Sequence, residues 1–293
     1  MSDQAESIPV KFRYGSWNVR NLAGENEEER RRLLCYQLGL YGFHLVCLQE
    51  TRLITSPDHF VPNWGETQWC DHGEMQGSFY HFANSSAELA KNGLGKAGVG
   101  FAWRHEMVRC REFRSVSSRL CWGHFEPQRP GGSKSFIALS YYAPTEGQKE
   151  ETVKFYLELD LLLVKLKKNF KKQHFYVAGD FNTSFGNDAI YLGKPITYFR
   201  SAHANVRTNW KARKFLQFVK RKGLRAVNIE KKCRQKKGEQ RSSDDTWSHP
   251  KTSKTSLKDL LITSSACYKQ VRLCKPLGSW DWRMLSDHRP IMW

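Results

Sequence analysis

The 293-residue chain is 40% hydrophobic and 13% aromatic with ten tryptophans, which fits one large packed core or two small ones and excludes a disordered chain. No apolar run approaches the ~18–20 residues needed to cross a bilayer, and residues 1–9 lack the basic-then-apolar pattern of a secretory signal. The net charge of +18, with a pI near 9.6, favours a polyanionic partner, either nucleic acid or an anionic surface.

In chain order, residues 1–11 read as a flexible lead and residues 12–19 as a strand. Residues 25–40 are charged, with Leu33, Leu34, Leu38 and Leu40 suggesting a surface helix. Residues 43–50 form a buried strand that ends in a polar pair. Residues 54–96 are rich in Gly, Ser, Asn and His and read as large loops. Residues 98–103, 118–125 and 135–142 are three more strands. The clearest helix runs from 150 to 172, where Val153, Leu157, Leu161 and Val164 recur at helical spacing and the segment ends in lysine. Residues 175–178 are a buried strand delivering G-D-F-N, and a second amphipathic helix spans 209–222. Residues 259–263 are a late strand, and 286–293 a loop entering a final strand that stops at Trp293, as if the protein continued. No internal repeat, Rossmann or P-loop fingerprint is present. The expected fold is α/β, a four-layer α/β/β/α sandwich of two packed mixed sheets with outer helices, making one domain over 12–293.

The charge is concentrated. Residues 205–241 hold fourteen Lys/Arg and two acids, so 14 − 2 = +12 of the excess lies there. In the helix, Lys211, Arg213, Lys214, Lys220, Arg221 and Lys222 are expected to face outward and meet a DNA backbone, and 231–241 reads as a loop. The bland alternative is a solvated helix face and loop. Eight cysteines include no C-x-x-C, so a zinc site is unsupported, and Cys47 and Cys121 read as buried thiols. A reduced, intracellular and nuclear protein is expected, with 231–237 a candidate basic address.

Asn18, Glu50, Tyr142, Asp180, Asn182, Asp259, Asp287 and His288 all lie at or just beyond the ends of apolar strand runs. Singly, such an Asp is usually a turn former, such a Tyr core, and such a His a satisfied polar group. As a set they suit phosphodiester hydrolysis. A hard divalent cation takes oxygen ligands and neutralises charge on phosphorus. A second carboxylate can hold a water, and a His backed by an acid can donate to a phosphate oxygen. No Cys or Ser nucleophile is required.

W-N-V (17–19), L-Q-E-T (48–51), Y-A-P-T (142–145), G-D-F-N (179–182), T-W-S-H-P (246–250), K-D-L-L (258–261) and S-D-H-R-P (286–290) stand in the order found in the endonuclease/exonuclease/phosphatase superfamily. The chain resembles that superfamily from about residue 12 to its end. Within it, S-W-N-V-R-N-L, Y-Y-A-P-T-E and G-D-F-N-T-S-F-G-N-D most resemble the apurinic-endonuclease-like domain of non-LTR (RTE-like) retrotransposons. The resemblance implies an Mg²⁺-dependent enzyme (Mn²⁺ substituting) that nicks one DNA strand and leaves a 3′-hydroxyl. A reverse transcriptase in a longer parent is an implied partner, although no reverse-transcriptase motif lies in these 293 residues. It implies Glu50 as the main metal carboxylate with Asn18 and Asp287 close by. Asp180 would position or activate the water, Asn182 and Tyr142 would contact the phosphate, and His288 would polarise it with Asp259 orienting the imidazole. Asn18 and Asn182 have a structural alternative, as hydrogen-bonding ties between loops. Trp247 either shapes a DNA-facing pocket or is a buried structural Trp.

Thr145 and Lys258 depart from the repair-enzyme pattern, and Lys258 puts the local packing of Asp259 in doubt. The competing readings are an apurinic-site repair enzyme or other phosphoesterase of this fold, and a catalytically silent nucleic-acid-binding protein.

Overall fold

The apolar runs read from the sequence become two stacked sheets. The computed structural model describes residues 12–23, 26–54, 65–67, 80–128, 134–145, 147–183, 185, 190–191, 194–195, 208–230, 246–248, 255–272, 274–277 and 286–293. The N-terminal lead and the 231–241 loop therefore lie outside the described residues.

The sheet strands are β1 (Tyr14–Asn18), β2 (Leu45–Gln49), β3 (Gly65–Thr67), β4 (Tyr80–Ser85), β5 (Val99–Arg104), β6 (Val108–Ser117), β7 (Leu120–Pro127), β8 (Phe136–Tyr142), β9 (His174–Asp180), β10 (Leu224–Ala226), β11 (Asp259–Ser264), β12 (Lys275–Pro276) and β13 (Ile291–Met292). One sheet has the order β12-β13-β1-β2-β5-β4-β3, and the other β10-β11-β9-β8-β7-β6. Between them lies a core that includes Cys47, Phe101, Trp103, Phe125, Phe136 and Leu261. Helix α1 (Glu27–Leu40) covers the first sheet, packing Leu34 and Leu38 with Trp17, Phe43 and Val46. Helices α2 (Lys149–Asn169) and α3 (Trp210–Arg221) cover the second. Two short helices, α4 (Val227–Glu230) and α5 (Ser265–Gln270), flank its edge. The expected four-layer α/β/β/α sandwich is what forms.

Strand direction gathers the polar strand ends. The pair β1/β2 is parallel, placing Asn18 beside Gln49. The pair β8/β9 is also parallel, with Tyr142 beside Asp180, while antiparallel β11 begins opposite Asp180 with Asp259. Across the sandwich, Gln49 Nε2 donates to Ser140 Oγ at 3.1 Å and Ser140 Oγ to the Leu48 carbonyl at 2.8 Å, so buried hydrogen bonds lock the two sheets together at this rim.

One expectation needs correction, and two features lay beyond the sequence reading. The 54–96 stretch is not all loop, because β4 lies within it and pairs with β5. Strand β6 had no strand signal, since V-R-C-R-E-F-R-S-V-S is mostly polar; it is an edge strand whose outward face needs no apolar residues, and its pairing with β7 has two irregularities. In α2 the buried stripe is Thr152, Phe155, Tyr156, Leu159, Leu162, Leu163 and Leu166. The stripe chosen from the sequence faces solvent instead, with Val153 47%, Leu157 57%, Leu161 72% and Val164 56% exposed. The helix carries two apolar stripes, and the one containing the aromatics is wider and fills the space over the sheet.

Leu159→Ala should therefore lower stability by about 2–5 kcal/mol through the cavity it leaves. Leu161→Ala should stay within about 0.5 kcal/mol. Urea denaturation of dilute protein measures both, and equal losses would mean that the wrong face has been placed inward.

Candidate active site

Asn18, at the end of β1 and fully buried, joins two acids. Its Nδ2 donates to Glu50 Oε1 at 2.9 Å and to Asp180 Oδ2 at 3.1 Å. Its Oδ1 accepts the Arg20 N–H at 3.0 Å. Glu50 leaves β2 with a left-handed φ of 50°, a conformation costing a non-glycine residue ~1–3 kcal/mol that the surroundings must hold. They do so by latching the next residues: Thr51 N–H donates to the Gly98 carbonyl and Arg52 N–H to that of Ala97. Gly98 has φ +88°, and a Cβ there would stand 2.5 Å from Thr51 Oγ1, so only glycine allows this approach. Burial pushes the Glu50 carboxyl up, but hydrogen bonds from Asn18 and Tyr142, the His288 charge and Arg52 outweigh it and hold it below its usual value.

Asp180 ends β9 in G-D-F-N. A Cβ on Gly179 would lie 1.9 Å from the Tyr141 carbonyl oxygen, which restricts that position to glycine. Phe181 is buried with ring centroids 4.2 Å from both Tyr141 and Phe215, anchoring the turn in the helix-side core. Asn182 takes φ 48°; its N–H donates to Asp180 Oδ1 at 2.6 Å, and its Nδ2 to the Ala143 carbonyl at 2.8 Å. Tyr142 stands beside both Glu50 and Asn182, and burial with the Glu50 charge pushes its hydroxyl pKa up.

His288 Nδ1 lies 2.8 Å from Asp259 Oδ2, and Nε2 lies 3.8 Å from Asp180 Oδ2. A carboxylate at Nδ1 requires the proton on that nitrogen, so Nε2 is the atom turned toward Asp180. The backbone of His288 is held by Trp17, whose Nε1 donates to its carbonyl at 3.0 Å, and by a bridge to Trp247. Thr246 Oγ1 accepts the N–H groups of both Lys258 and Asp259 at 3.0 Å, fixing the start of β11. Burial and the Asp259 charge raise the Asp180 carboxyl. Burial opposes charging of His288, but the charge and hydrogen bond of Asp259, with Asp180 and Asp287 behind them, raise its pKa.

Asp180, Asp259 and His288 lie close enough to chelate an ion, with potential ligand atoms within 4.8 Å of one another. His288 Nδ1 is already engaged by Asp259 at 2.8 Å, which makes the two a hydrogen-bonded pair. The Glu50 side suits a hard cation better: its carboxylate is held ionised and oxygen is the donor. Asp287 stands at the edge of this group, accepting from Trp247 Nε1 at 3.0 Å and facing Arg20 at 3.4 Å.

The structure thus brings together Asn18, Glu50, Tyr142, Asp180, Asn182, Asp259 and His288, with Asp287 and Trp247 adjoining. Asn18 turns its amide hydrogens toward the two acids, so in this structure it is the hydrogen-bonding tie between them. One expectation changes, because Lys211 does not face outward. It is fully buried, and its Nζ donates to the carbonyls of Pro144 and, at 2.8 Å, Asn182. The lysine stem lies in the core while its ammonium stitches the Y-A-P-T and G-D-F-N turns together. Asn209 caps the same helix end, accepting from Ala212 N at 2.8 Å and from Thr183 Oγ1 at 3.0 Å.

Sequence reasoning gave four cations no role at the site. Arg52 pairs with Glu50 at 3.2 Å and Arg20 with Asp287; Arg52 directly follows L-Q-E-T and Arg20 lies within S-W-N-V-R-N-L, which was the available signal. Arg119 stacks over the Tyr142 ring at 5.4 Å. Lys258 swings its Nζ to 3.7 Å over the Trp247 ring, leaving Asp259 buried on His288, so the feared disturbance of Asp259 does not occur.

The family model described as endonuclease/exonuclease/phosphatase family matches residues 15–288, and the chain belongs to that family, whose members are phosphoesterases and nucleases. Solved structures share the fold. The AP endonuclease LMAP from Leishmania major is 16% identical with a TM-score of 0.63, covering 96% of this chain and 86% of its own. A mannosyl-6-phosphatase from Bacteroides thetaiotaomicron is 15% identical (TM-score 0.59; 96% and 98% covered). The endonuclease domain of TRAS1, a telomere-specific non-LTR retrotransposon, is 11% identical (TM-score 0.55; 96% and 97% covered). Comparison with curated protein sequences gives no significant match.

The His288–Asp259 pair can be read directly by NMR of the imidazole. Its titration midpoint should lie above the ordinary histidine value, and Asp259→Asn should bring it down. A raised folded pKa means that the pair stabilises the fold fully below the ordinary histidine pKa and loses this contribution as pH rises through the raised value. A midpoint unmoved by Asp259→Asn would remove Asp259 as the cause.

Proposed function

We propose that the chain is an Mg²⁺-dependent endonuclease, with Mn²⁺ able to substitute, that nicks one strand of DNA. The observation that carries this reading is the buried Asn18 amide holding Glu50 beside Asp180, with His288 and Asp259 on the other side of Asp180. Glu50 would hold the cation, with Asp287 adjoining, and the cation when bound would neutralise charge on phosphorus and on the leaving oxygen. Asp180, ionised, holds a water through its carboxylate and takes its proton. His288, protonated at Nε2 and steadied by Asp259, donates to a non-bridging phosphate oxygen. Asn182 is fixed by Asp180 and Ala143, and Tyr142 is covered by Arg119, so both are placed to orient the phosphate without reorganising. As water forms the new bond to phosphorus the bond to the 3′-oxygen breaks, and the leaving oxygen takes up a proton from solvent, giving a 3′-hydroxyl and a 5′-phosphate.

A polyanionic substrate is supported by the +18 charge and by cations around the site. Arg213 and Lys214 are exposed on the first turns of α3, whose start is tied to the Asn182 turn. Lys220, Arg221 and Lys222 lie at the other end, ~11 Å further along at 1.5 Å per residue. There Arg221 pairs with Asp160 at 3.0 Å, and Lys222 also engages Asp160. Backbone contact is accordingly assigned to Arg213 and Lys214, with Lys220 peripheral. Lys258 over Trp247 adds a cation on the site itself. The retrotransposon-like motifs S-W-N-V-R-N-L and G-D-F-N-T-S-F-G-N-D carry the further reading of action in the nucleus, with a reverse transcriptase using the 3′-hydroxyl. Among the described residues no helix is long and apolar enough to cross a membrane.

Glu50→Ala should lower nicking of supercoiled plasmid in Mg²⁺ by several orders of magnitude while DNA binding persists, and EDTA should do the same to the native protein. Nicks should be extended by a DNA polymerase without phosphatase treatment. Near-native nicking by Glu50→Ala would sink the assignment.

Replacing Arg213 and Lys214 by Gln should flatten the slope of log K against log salt by up to about 2, at roughly 0.9 per duplex phosphate contact. Arg221→Gln with Lys222→Gln should change it little. The reverse pattern would put the DNA at the other end of α3.

A further inference from the structure

Four of the ten exposed large apolar side chains among the described residues lie on α2: Val153, Leu157, Leu161 and Val164. At about 100° per residue they fall within an arc of about 80° on the solvent side, with Glu150 and Lys168 in the same arc. All six side chains are exposed, and none belongs to the catalytic cluster. A stripe this contiguous is uncommon on a surface that meets only water.

The order of the stripe indicates what covers it. Reading outward from Leu159, Leu157 is balanced by Leu161, Val153 by Val164 and Glu150 by Lys168. An identical helix laid antiparallel across a two-fold axis near Leu159 therefore sets leucine against leucine, valine against valine and, at both ends, glutamate against lysine. Such self-complementarity is what an isologous contact requires. The wider charge pattern agrees, since the first turn of α2 is acidic (Glu150, Glu151) and the last basic (Lys167, Lys168). A parallel pairing would oppose like charges instead. The helix has 21 residues, about 31 Å of shared length, which suits a modest reversible contact rather than an obligate one.

We propose that this face of α2 is a homodimer interface, occupied by α2 of a second copy in antiparallel orientation. Because α2 lies on the outer layer, the contact leaves both catalytic rims open and sends them in opposite directions. The proposal does not depend on the substrate.

Sedimentation velocity across the micromolar range, at physiological ionic strength and with circular dichroism as the check on folding, tests it. The native protein should show a concentration-dependent shift from the 34.1 kDa monomer toward twice that mass. Leu157→Glu with Leu161→Glu, both at exposed positions, should abolish the shift, and Leu161→Glu alone should weaken it while leaving plasmid nicking per chain unchanged. Glu150→Lys and Lys168→Glu should each weaken dimerisation, because each sets two like pairs against each other. Combining them in one chain should restore it, since the opposite pairs are regained with their signs exchanged. A native protein that stays monomeric overturns the proposal, as would a dimer that survives the Leu157/Leu161 variant. A combined charge variant that stays as weak as the single ones would point to a different partner for the stripe and count equally against it.

Discussion

Two carboxylates from opposite sheets share the amide of one asparagine. Glu50 follows a strand of the first sheet, Asp180 ends a strand of the second, and Asn18 donates one hydrogen to each. Two buried acids this close would repel unless something between them supplied positive hydrogen-bonding potential. Asn18 does that without a charge of its own, and its oxygen is fixed by the Arg20 N–H. The sheet-to-sheet hydrogen bonds of Gln49 and Ser140 lie one residue below and set the spacing that lets one amide reach both. The positive φ at Glu50 and Asn182, and the glycines at 98 and 179, are what the chain needs to bring its strand ends into this arrangement.

Asp180 then divides two environments. On one side, Glu50 is held ionised among hydrogen-bond donors, a setting for a hard cation. On the other, His288 is held protonated by Asp259. One fold thereby keeps an acceptor of charge and a donor of protons within a few ångströms of the same carboxylate. Lys211 supports this from beneath, as a buried ammonium linking the turns that carry Tyr142 and Asn182.

Most of the site was legible because parallel strands deliver their C-terminal ends to one rim, so polar residues ending Trp17-Asn18, Leu48-Gln49-Glu50, Tyr142 and Gly179-Asp180 had to converge. The four-layer fold was legible from the same runs. What was not legible has specific causes. Helical periodicity gives the angle between residues and not which side faces the core, so the spacing of Val153, Leu157, Leu161 and Val164 marked the helix without showing that this stripe faces solvent. A lysine's apolar stem allows burial that composition does not reveal, as at Lys211. An asparagine carries donor and acceptor on one group, and only the neighbours of Asn18 decide which end meets the acids. The cations at Arg20, Arg52 and Lys258 stood in or beside recognised motifs and were given no role at the site because charge was sought in the 205–241 block.

The central claim is that the cation belongs to Glu50 while His288 and Asp259 remain a proton-donating pair. Anomalous diffraction from crystals soaked in Mn²⁺ at neutral pH tests it most directly. The account predicts an anomalous peak in coordination distance of the Glu50 carboxylate, with the His288 Nδ1–Asp259 hydrogen bond intact. A peak coordinated by His288 and Asp259, with Glu50 uninvolved, would contradict it.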